Sequence, residues 1–533
     1  MKLKTFMSLC AVAVFFGCAD EKPMTPNAPN IVFILADDAS WKHFGVYGNS
    51  AVNTPNIDNM AKEGILFKNA FVSTPSCTAS RSAILTGRNS FELEDGILLG
   101  GYLPKKFLTY TSVLEKAGYK VGATGKGWGP GTLFGRTVNP AGRPYNDLRY
   151  NPYEELFCDS SISDIDYAAN FNNFLFDRDE DQPFVFWMGT NEPHKPYTAD
   201  FAATQNIDFS NISIPDFYPD NEDVRAEIAS YLAEIQHIDT QIGSVYEVLE
   251  KHGKLDNTIV VFSSDNGMPF PRAKSNLYEY GIRIPLIVTW GNKIKKNRSV
   301  DDLISLTDLA PTFIDAAGLS IPSSMSGKSF MDLLLSDQSG QVRAKDNHVY
   351  TAIERHGRQS LYPSRSIRSQ DFQLIWNALP ENNPIAVDGG PIKDVLINNK
   401  VSQPYYYKLA IGKRPEYELY DVKADPYNMD NLAEDPLYQD VLDELKSQLF
   451  QYLELRQDPR ITGKQDLWQF SPAFILWSGE KGSGVNYAPN AQGQNIPPAR
   501  MKRMLIEYYR KNEYDPAFVS QVMDRLEQNV DSF

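Results

Sequence analysis

The sequence predicts an α/β fold: a mostly parallel sheet with helices on both faces, followed by a smaller α+β subdomain. Three observations carry that expectation. First, short and largely apolar runs recur at Asn30–Ala36, Pro183–Gly189, Thr258–Ser264 and Arg283–Trp290, as strands buried on both faces should. Second, amphipathic helix patterns lie between them. The clearest is Ala226–His252, with Ile228, Leu232, Ile235, Ile238, Ile242, Val245 and Leu249 three or four residues apart; another spans Asp308–Ala317. Third, the texture changes from about Tyr362. Arg365–Trp376 and Tyr405–Leu409 read as two-sided strands, Gly-Gly and Pro-rich turns separate them, and a helix is expected over Leu437–Leu455.

Taken in order, the chain opens with a basic start at Lys2 and Lys4. An apolar stretch over Thr5–Phe16 follows, too short to span a bilayer, and then Phe-Phe-Gly-Cys. A small residue just before Cys18 resembles a bacterial lipobox. That implies an exported bacterial lipoprotein, periplasmic or at the cell surface, lipidated at Cys18; a plain secretory signal cut nearby is the alternative. Residues 1–17 are read as the signal, 18–29 as a Pro-rich tether, 30–361 as the main domain, 362–460 as the smaller subdomain and 461–533 as a helical extension. That extension carries patterns at Pro498–Asn512 and Pro516–Gln528.

Composition narrows the function classes. With 42% hydrophobic and 22% charged residues among 533, the chain is neither disordered nor fibrous. A net charge of −15 and a pI near 5.0 give no overall field to draw nucleic acid or an anionic membrane, so membrane association is expected only through the lipid anchor. Four cysteines exclude a disulfide framework. Cys10 leaves with the signal and Cys18 carries lipid. Cys77 and Cys158 then remain for the folded body.

Two of the apolar strands end in paired oxygen ligands. Ile34-Leu35-Ala36 runs into Asp37-Asp38, and Phe262-Ser263-Ser264 into Asp265-Asn266-Gly267. Function collects at the C-terminal ends of strands in open α/β sheets. Carboxylate and amide oxygens select Ca²⁺ or Mg²⁺ over Zn²⁺. Asp and Asn are also common turn residues, so either pair alone reads equally as a turn; two at matching places read as a metal site.

Between them stands Ser76-Cys77-Thr78-Ala79-Ser80-Arg81, followed by Ser82-Ala83-Ile84-Leu85-Thr86-Gly87. This segment resembles the signature of the formylglycine-dependent sulfatases, type I members of the alkaline phosphatase-like superfamily, with Ala79 in the usual Pro position. Further motifs agree in order. Asp37-Asp38 resembles the family's first metal pair; Tyr47-Gly48 with Thr54-Pro55-Asn56-Ile57-Asp58 resembles its next motif. Asp265-Asn266-Gly267 resembles the second metal pair, and Lys274, Tyr278-Glu279 and Gly281-Ile282-Arg283-Ile284-Pro285 the downstream Lys segment. Glu418-Leu419-Tyr420-Asp421, Asp425-Pro426 and Asn431-Leu432 resemble the C-terminal subdomain. The resemblance runs from about Asn30 to Arg460. Residues 122–131 and 268–274 are most similar to bacterial members labelled heparan N-sulfatase, and comparable proteins act on marine algal polysaccharides such as ulvan.

The resemblance implies a chemistry. A maturation enzyme oxidises Cys77 to formylglycine (3-oxoalanine), whose hydrate is a geminal diol. One hydroxyl, beside a single Ca²⁺ (or Mg²⁺) held by Asp37, Asp38, Asp265, Asn266 and residue 77, attacks sulfur. The other loses its proton and expels sulfate as the aldehyde re-forms. Cys77 read alone is a small buried hydrophobe. By the same resemblance Arg81 steadies the nucleophile, and Lys126, His194 and Lys274 clamp the sulfate, with His194 as general acid. One departure stands out. Many members carry a His two residues after the counterpart of Lys126, and this chain carries Trp128, whose indole nitrogen only donates. His43 is then either a replacement base or a pocket-lining residue. Arg355 and His356 are either contacts to substrate or parts of a packed loop. The expected substrate is a sulfated glycan. The alternatives are a phosphoester or phosphonate hydrolase of the same superfamily and a glycan-binding lipoprotein without catalysis.

Overall fold

The computed structural model describes residues 28–464 apart from 132, 134–135, 151–160, 344–346, 357–360, 381 and 383–386, together with 468, 503, 506–507, 510 and 516–527. Cys10, Cys18, Cys158, the expected signal, most of the tether and most of the Pro498–Asn512 pattern lie outside the described residues.

The strands are β1 (Asn30–Ala36), β2 (Ile65–Phe71), β3 (Lys120–Gly125), β4 (Arg143–Pro144), β5 (Phe184–Gly189), β6 (Thr258–Ser264), β7 (Arg283–Thr289), β8 (Arg298–Ser305), β9 (Val349–Arg355), β10 (Leu361–Arg368), β11 (Phe372–Asn377) and β12 (Tyr417–Asp421). The helices in the first half are α1 (Pro55–Lys62), α2 (Cys77–Thr86), α3 (Tyr110–Lys116), α4 (Tyr167–Phe176), α5 (Ala199–Thr204) and α6 (Glu222–Lys251). They continue with α7 (Glu279–Ile282), α8 (Leu309–Ala316), α9 (Met331–Leu335), α10 (Pro391–Asn398), α11 (Pro404–Ile411), α12 (Gln439–Leu455) and α13 (Pro516–Glu527).

The main sheet has the order β4-β3-β5-β1-β6-β7-β2-β8. Only β7 is reversed, pairing antiparallel with β6 and β2, so the sheet is mostly parallel as expected. Every residue of β1 is buried. Its alternate side chains feed different cores: Ile31, Phe33 and Leu35 join one layer, Val32, Ile34 and Ala36 the other. This period-two division is why a strand covered on both faces needs an unbroken apolar run. The helix α6 is capped by Asn221, whose side chain accepts from Val224 N, and it lays Ile228, Leu232, Ile235 and Ile242 on the second layer.

The smaller sheet is antiparallel, ordered β12-β11-β10-β9, with α12 packed against it through Leu442, Leu445, Leu449 and Leu453. It begins at Val349, ahead of the change of texture read at Tyr362. The strand expected at Tyr405–Leu409 is instead part of the helix α11. Pro404 occupies its first turn, where a fixed φ and a missing N–H suit helix initiation, and Ala410 and Ile411 carry the burial.

The C-terminal ends of β3 and β5 approach closely. Lys126 N donates to Gly189 O at 2.7 Å, and a Cβ on Gly189 would lie 1.8 Å from the Lys126 carbonyl oxygen. Only glycine fits there, and the contact fixes the backbone of Lys126. Gly189→Ala is expected to cost about 3 kcal/mol or more of stability through overpacking. A denaturation midpoint equal to that of the parent chain would contradict this.

Candidate active site

The β1 and β6 strands are parallel neighbours in a register that sets Ala36 beside Ser264. The residues that follow, Asp37-Asp38 and Asp265-Asn266, therefore emerge side by side. Asp38 adopts φ 78°, a left-handed turn that Asp tolerates better than most residues, and its N–H donates to Asp265 Oδ1 at 3.2 Å. Next along the sheet, β5 ends before His194 and β3 ends just before Lys126. From the other direction the loop after β2 delivers Cys77 as the first residue of α2.

These elements converge on one buried cluster. Cys77 Sγ lies 3.4 Å from Asp37 Oδ1 and 3.9 Å from Asp38 Oδ1; it is a free, buried thiol. Arg81, one turn along α2, donates from Nε to Asp265 Oδ2 at 2.7 Å and from its terminal nitrogen to the carbonyls of Lys126 and Gly127. Lys126 Nζ pairs with Asp37. Lys274 Nζ donates to Asp38 Oδ2 at 2.7 Å. His194 Nε2 stands 3.7 Å from the same oxygen, while its Nδ1 lies 2.6 Å from Lys195 O.

The charges explain one another. Burial opposes ionisation of Asp37, but Lys126, His194, Arg81 and Lys274 hold its carboxyl well below the usual range. Burial, then the charge on Asp37, lifts Asp265 to about 6 against the pull of Arg81. Burial opposes the charge on Lys274, yet Asp38 and Asp388 push its ammonium well above the usual range. Burial, then Asp37, pushes the Cys77 thiol up.

The donor set fits a hard cation. Ligand atoms of Asp37, Asp38, Cys77 and Asp265 all lie within 4.8 Å of one another. Asn266 Nδ2 donates to Asp38 Oδ1 at 2.6 Å, which leaves Asn266 Oδ1 buried with no hydrogen-bond partner. A buried amide oxygen without a donor is costly, and an oxygen-seeking ion beside three carboxylates would satisfy it. Ligand atoms of two overlapping trios, Asp37-Cys77-His194 and Asp38-His194-Asp388, lie equally close together.

The remaining sequence candidates fall in different places. His356 is buried and its Nδ1 lies 3.1 Å from Ser76 Oγ, immediately before Cys77. Burial, then Lys274, pulls its pKa to about 3, so it is a neutral imidazole. It arrives there because Ala352 of β9 accepts from Thr74 and donates to Ser73 O. Arg355 precedes it at the end of β9 and is half-buried. His43 is held by Tyr231 Oη at 2.9 Å and packs on Tyr231 and Tyr280; burial lowers its pKa to about 3. Trp128 is fully buried and donates its indole N–H to Ser82 Oγ at 2.9 Å. Asp388 was not legible in advance: in Val387-Asp388-Gly389-Gly390 it reads as a turn residue, yet its Oδ2 accepts from Lys274 at 2.9 Å.

A model of the sulfatase family matches residues 29–319, more than half of the chain. The chain belongs to the sulfatase family. Its downstream part, residues 272–383, also matches a model described as N-sulphoglucosamine sulphohydrolase, C-terminal. Among curated relatives of this sulfatase is an ulvan-active sulfatase of Formosa agariphila, 28% identical over 81% of this chain and 81% of that protein. Another is the human N-sulphoglucosamine sulphohydrolase, 26% identical over 88% of this chain and 95% of that one. In fold it is similar to a protein solved in complex with its substrate D-glucosamine-2-N,6-O-disulfate, with a TM-score of 0.58, 21% identity, and 81% and 98% of the two chains covered. A 2-O GAG sulfatase matches with a TM-score of 0.60, 21% identity, and 82% and 94% covered. The sulfatase is thus a sulfuric ester hydrolase with the alkaline phosphatase-like fold. No described helix is long and apolar enough to cross a membrane.

Because the Trp128 indole is spent on packing and on Ser82, Trp128→Phe is expected to cost about 1 kcal/mol of stability for the lost hydrogen bond. Turnover should stay within about threefold. A folded variant losing two orders of magnitude in turnover would assign the indole a chemical role.

Proposed function

We propose that this sulfatase removes sulfate from a sulfated polysaccharide or an oligosaccharide derived from it, with residue 77, matured from Cys to formylglycine by a dedicated enzyme, as nucleophile. The observation that carries this reading is the position of Cys77: first residue of a helix, buried, in contact with Asp37 and grouped with the ligand atoms of Asp38 and Asp265. A helix N-terminus favours an anion, and Ser76 makes no side-chain cap there, its hydroxyl being turned to His356.

Asp37, Asp38, Asp265 and Asn266 are assigned to Ca²⁺, with Mg²⁺ as the alternative. That ion, when bound, polarises a sulfate oxygen and favours the ionised nucleophile. Arg81 holds Asp265 and the Lys126 backbone in place, so the two acid pairs and α2 stay in register. Lys126 and Lys274 supply positive charge where it builds on the transferring sulfuryl oxygens. His194 is the general acid for the leaving oxygen: its side chain is a third exposed and reaches the cleft from which a sugar would enter. That cleft, about 530 Å³, is bounded by His194, Tyr197, Glu227 and Asp388 and has room for a sugar ring. His43 backs the cleft wall through Tyr231, whose ring faces Tyr197 at 6.3 Å. Arg355 and His356 approach from the smaller sheet and are assigned to the substrate side.

The substrate class rests on the relatives, named for ulvan and for N-sulphoglucosamine. An algal polysaccharide and a glycosaminoglycan are therefore the two classes to assay. Export and anchoring through a lipidated Cys18 are proposed on the leader sequence alone.

Cys77→Ala is expected to lower sulfate release at least about a thousandfold, and mass spectrometry of the residue-77 peptide from natively matured protein should show the aldehyde. Turnover comparable to that of the parent chain, or a thiol in a fully active enzyme, would contradict the reading. Asp265→Ala is expected to lose both activity and calcium binding in calorimetry, and chelation of the parent enzyme should abolish turnover until calcium is restored. An Asp265→Ala variant that binds calcium as the parent does would remove the metal assignment.

A further inference from the structure

Lys274 is almost wholly buried, with 1% of its side chain exposed, and is gripped by two carboxylates. An ammonium has three donors. One goes to Asp38 Oδ2 at 2.7 Å and one to Asp388 Oδ2 at 2.9 Å, leaving a third. Asp38 already receives Asn266 Nδ2 and sits beside Cys77. Were Asp38 the sole anchor, Lys274 would be free to swing about it and to shield it from a cation.

Asp388 is carried by the strap Val387–Pro391, and that strap is tied down with care. Lys195 Nζ donates to Gly389 O at 2.7 Å and to Glu227 Oε1 at 2.6 Å. Glu227 Oε2 accepts from Ile392 N at 2.7 Å. The Lys195–Glu227 pair is itself nearly buried, at 11% and 4% side-chain exposure. Gly390 has φ 141°, and a Cβ there would lie 2.1 Å from Glu227 Oε1 and 2.6 Å from Lys195 Nζ. A charged clamp between Lys195, in the loop after β5, and Glu227 of α6 thus closes on a glycine with positive φ and fixes the backbone two residues from Asp388.

We propose that Asp388 is a positioning residue for Lys274, and that the Lys195–Glu227 clamp on Gly390 is what delivers it. Shared between Asp38 and Asp388, the ammonium stays put and presents its third donor to a sulfuryl oxygen. Lys274 is thereby held on Asp38 Oδ2 and off Oδ1, the oxygen that lies toward Cys77. The inference rests on the function proposed above for Lys274, and it adds a strap from outside the main sheet as the part that sets the lysine's aim.

The test uses the full chain with calcium and two readouts. One is the dissociation constant of inorganic sulfate by calorimetry, which requires no formylglycine; the other is sulfate release from an aryl sulfate. Asp388→Ala and Gly390→Ala are expected to weaken sulfate binding about tenfold and to lower kcat about a hundredfold, in the range typical of supporting partners at polar sites. KM should change less than kcat, calcium affinity should stay within about threefold, and Asp388→Glu should recover part of the loss. Sulfate affinity and kcat equal to the parent values in Asp388→Ala overturn the proposal, as does a loss of calcium affinity that matches the loss of kcat, since Asp388 would then serve the metal. If the parent chain releases no sulfate, the proposed function fails while the sulfate-binding comparison still decides the role of Asp388.

Discussion

The β1–β6 register, with Ala36 beside Ser264, presses Asp37, Asp38 and Asp265 into one buried space. Like charges so close in a poorly screening interior repel strongly, and the fold answers with cations drawn from separate elements. Arg81 comes from α2, Lys126 from the end of β3 and Lys274 from the loop before α7, each in contact with one of the three carboxylates. Every other feature of the site follows from holding that cluster together. It explains the glycine contact between β3 and β5 that fixes Lys126, and the two backbone carbonyls that orient Arg81.

The arrangement is charge-balanced with one asymmetry. Arg81 serves Asp265 and Lys126 serves Asp37, but Lys274 is divided between Asp38 and Asp388. Asn266 completes the set by giving its amide hydrogens to Asp38 and Gly267, and its amide oxygen is buried without a donor. A protein interior seldom leaves such an atom unsatisfied. The orphaned oxygen beside a cluster of three carboxylates is compatible with a cation at the strand ends.

Much of this was legible in the sequence because the signals were local. Apolar runs over residues 30–36 and 258–264 became β1 and β6 with those bounds, since a strand buried on both faces admits little else. The acid pairs follow them directly, and the Cys77–Arg81 spacing places both side chains one turn apart on α2. Reading failed where tertiary context outweighed composition. The tyrosines of 405–407 suggested a strand, but Pro404 and the burial of Ala410 and Ile411 made a helix. The strand β9 escaped notice because it mixes Tyr350, Thr351 and Glu354 with its apolar residues, although it is the element that brings His356 to Ser76. Asp388 had no sequence signal, since its role depends on a clamp between residues 195 and 227 that no local pattern reveals.

The central claim is that two strand ends grip one cation against residue 77. An anomalous-scattering crystal structure of the mature chain grown with calcium tests it most directly. The account predicts a single peak about 2.3–2.6 Å from oxygens of Asp37, Asp38, Asp265 and Asn266, with residue 77 beside it. A map with no peak there, or with the calcium elsewhere and Asn266 Oδ1 satisfied by a protein donor, would contradict it.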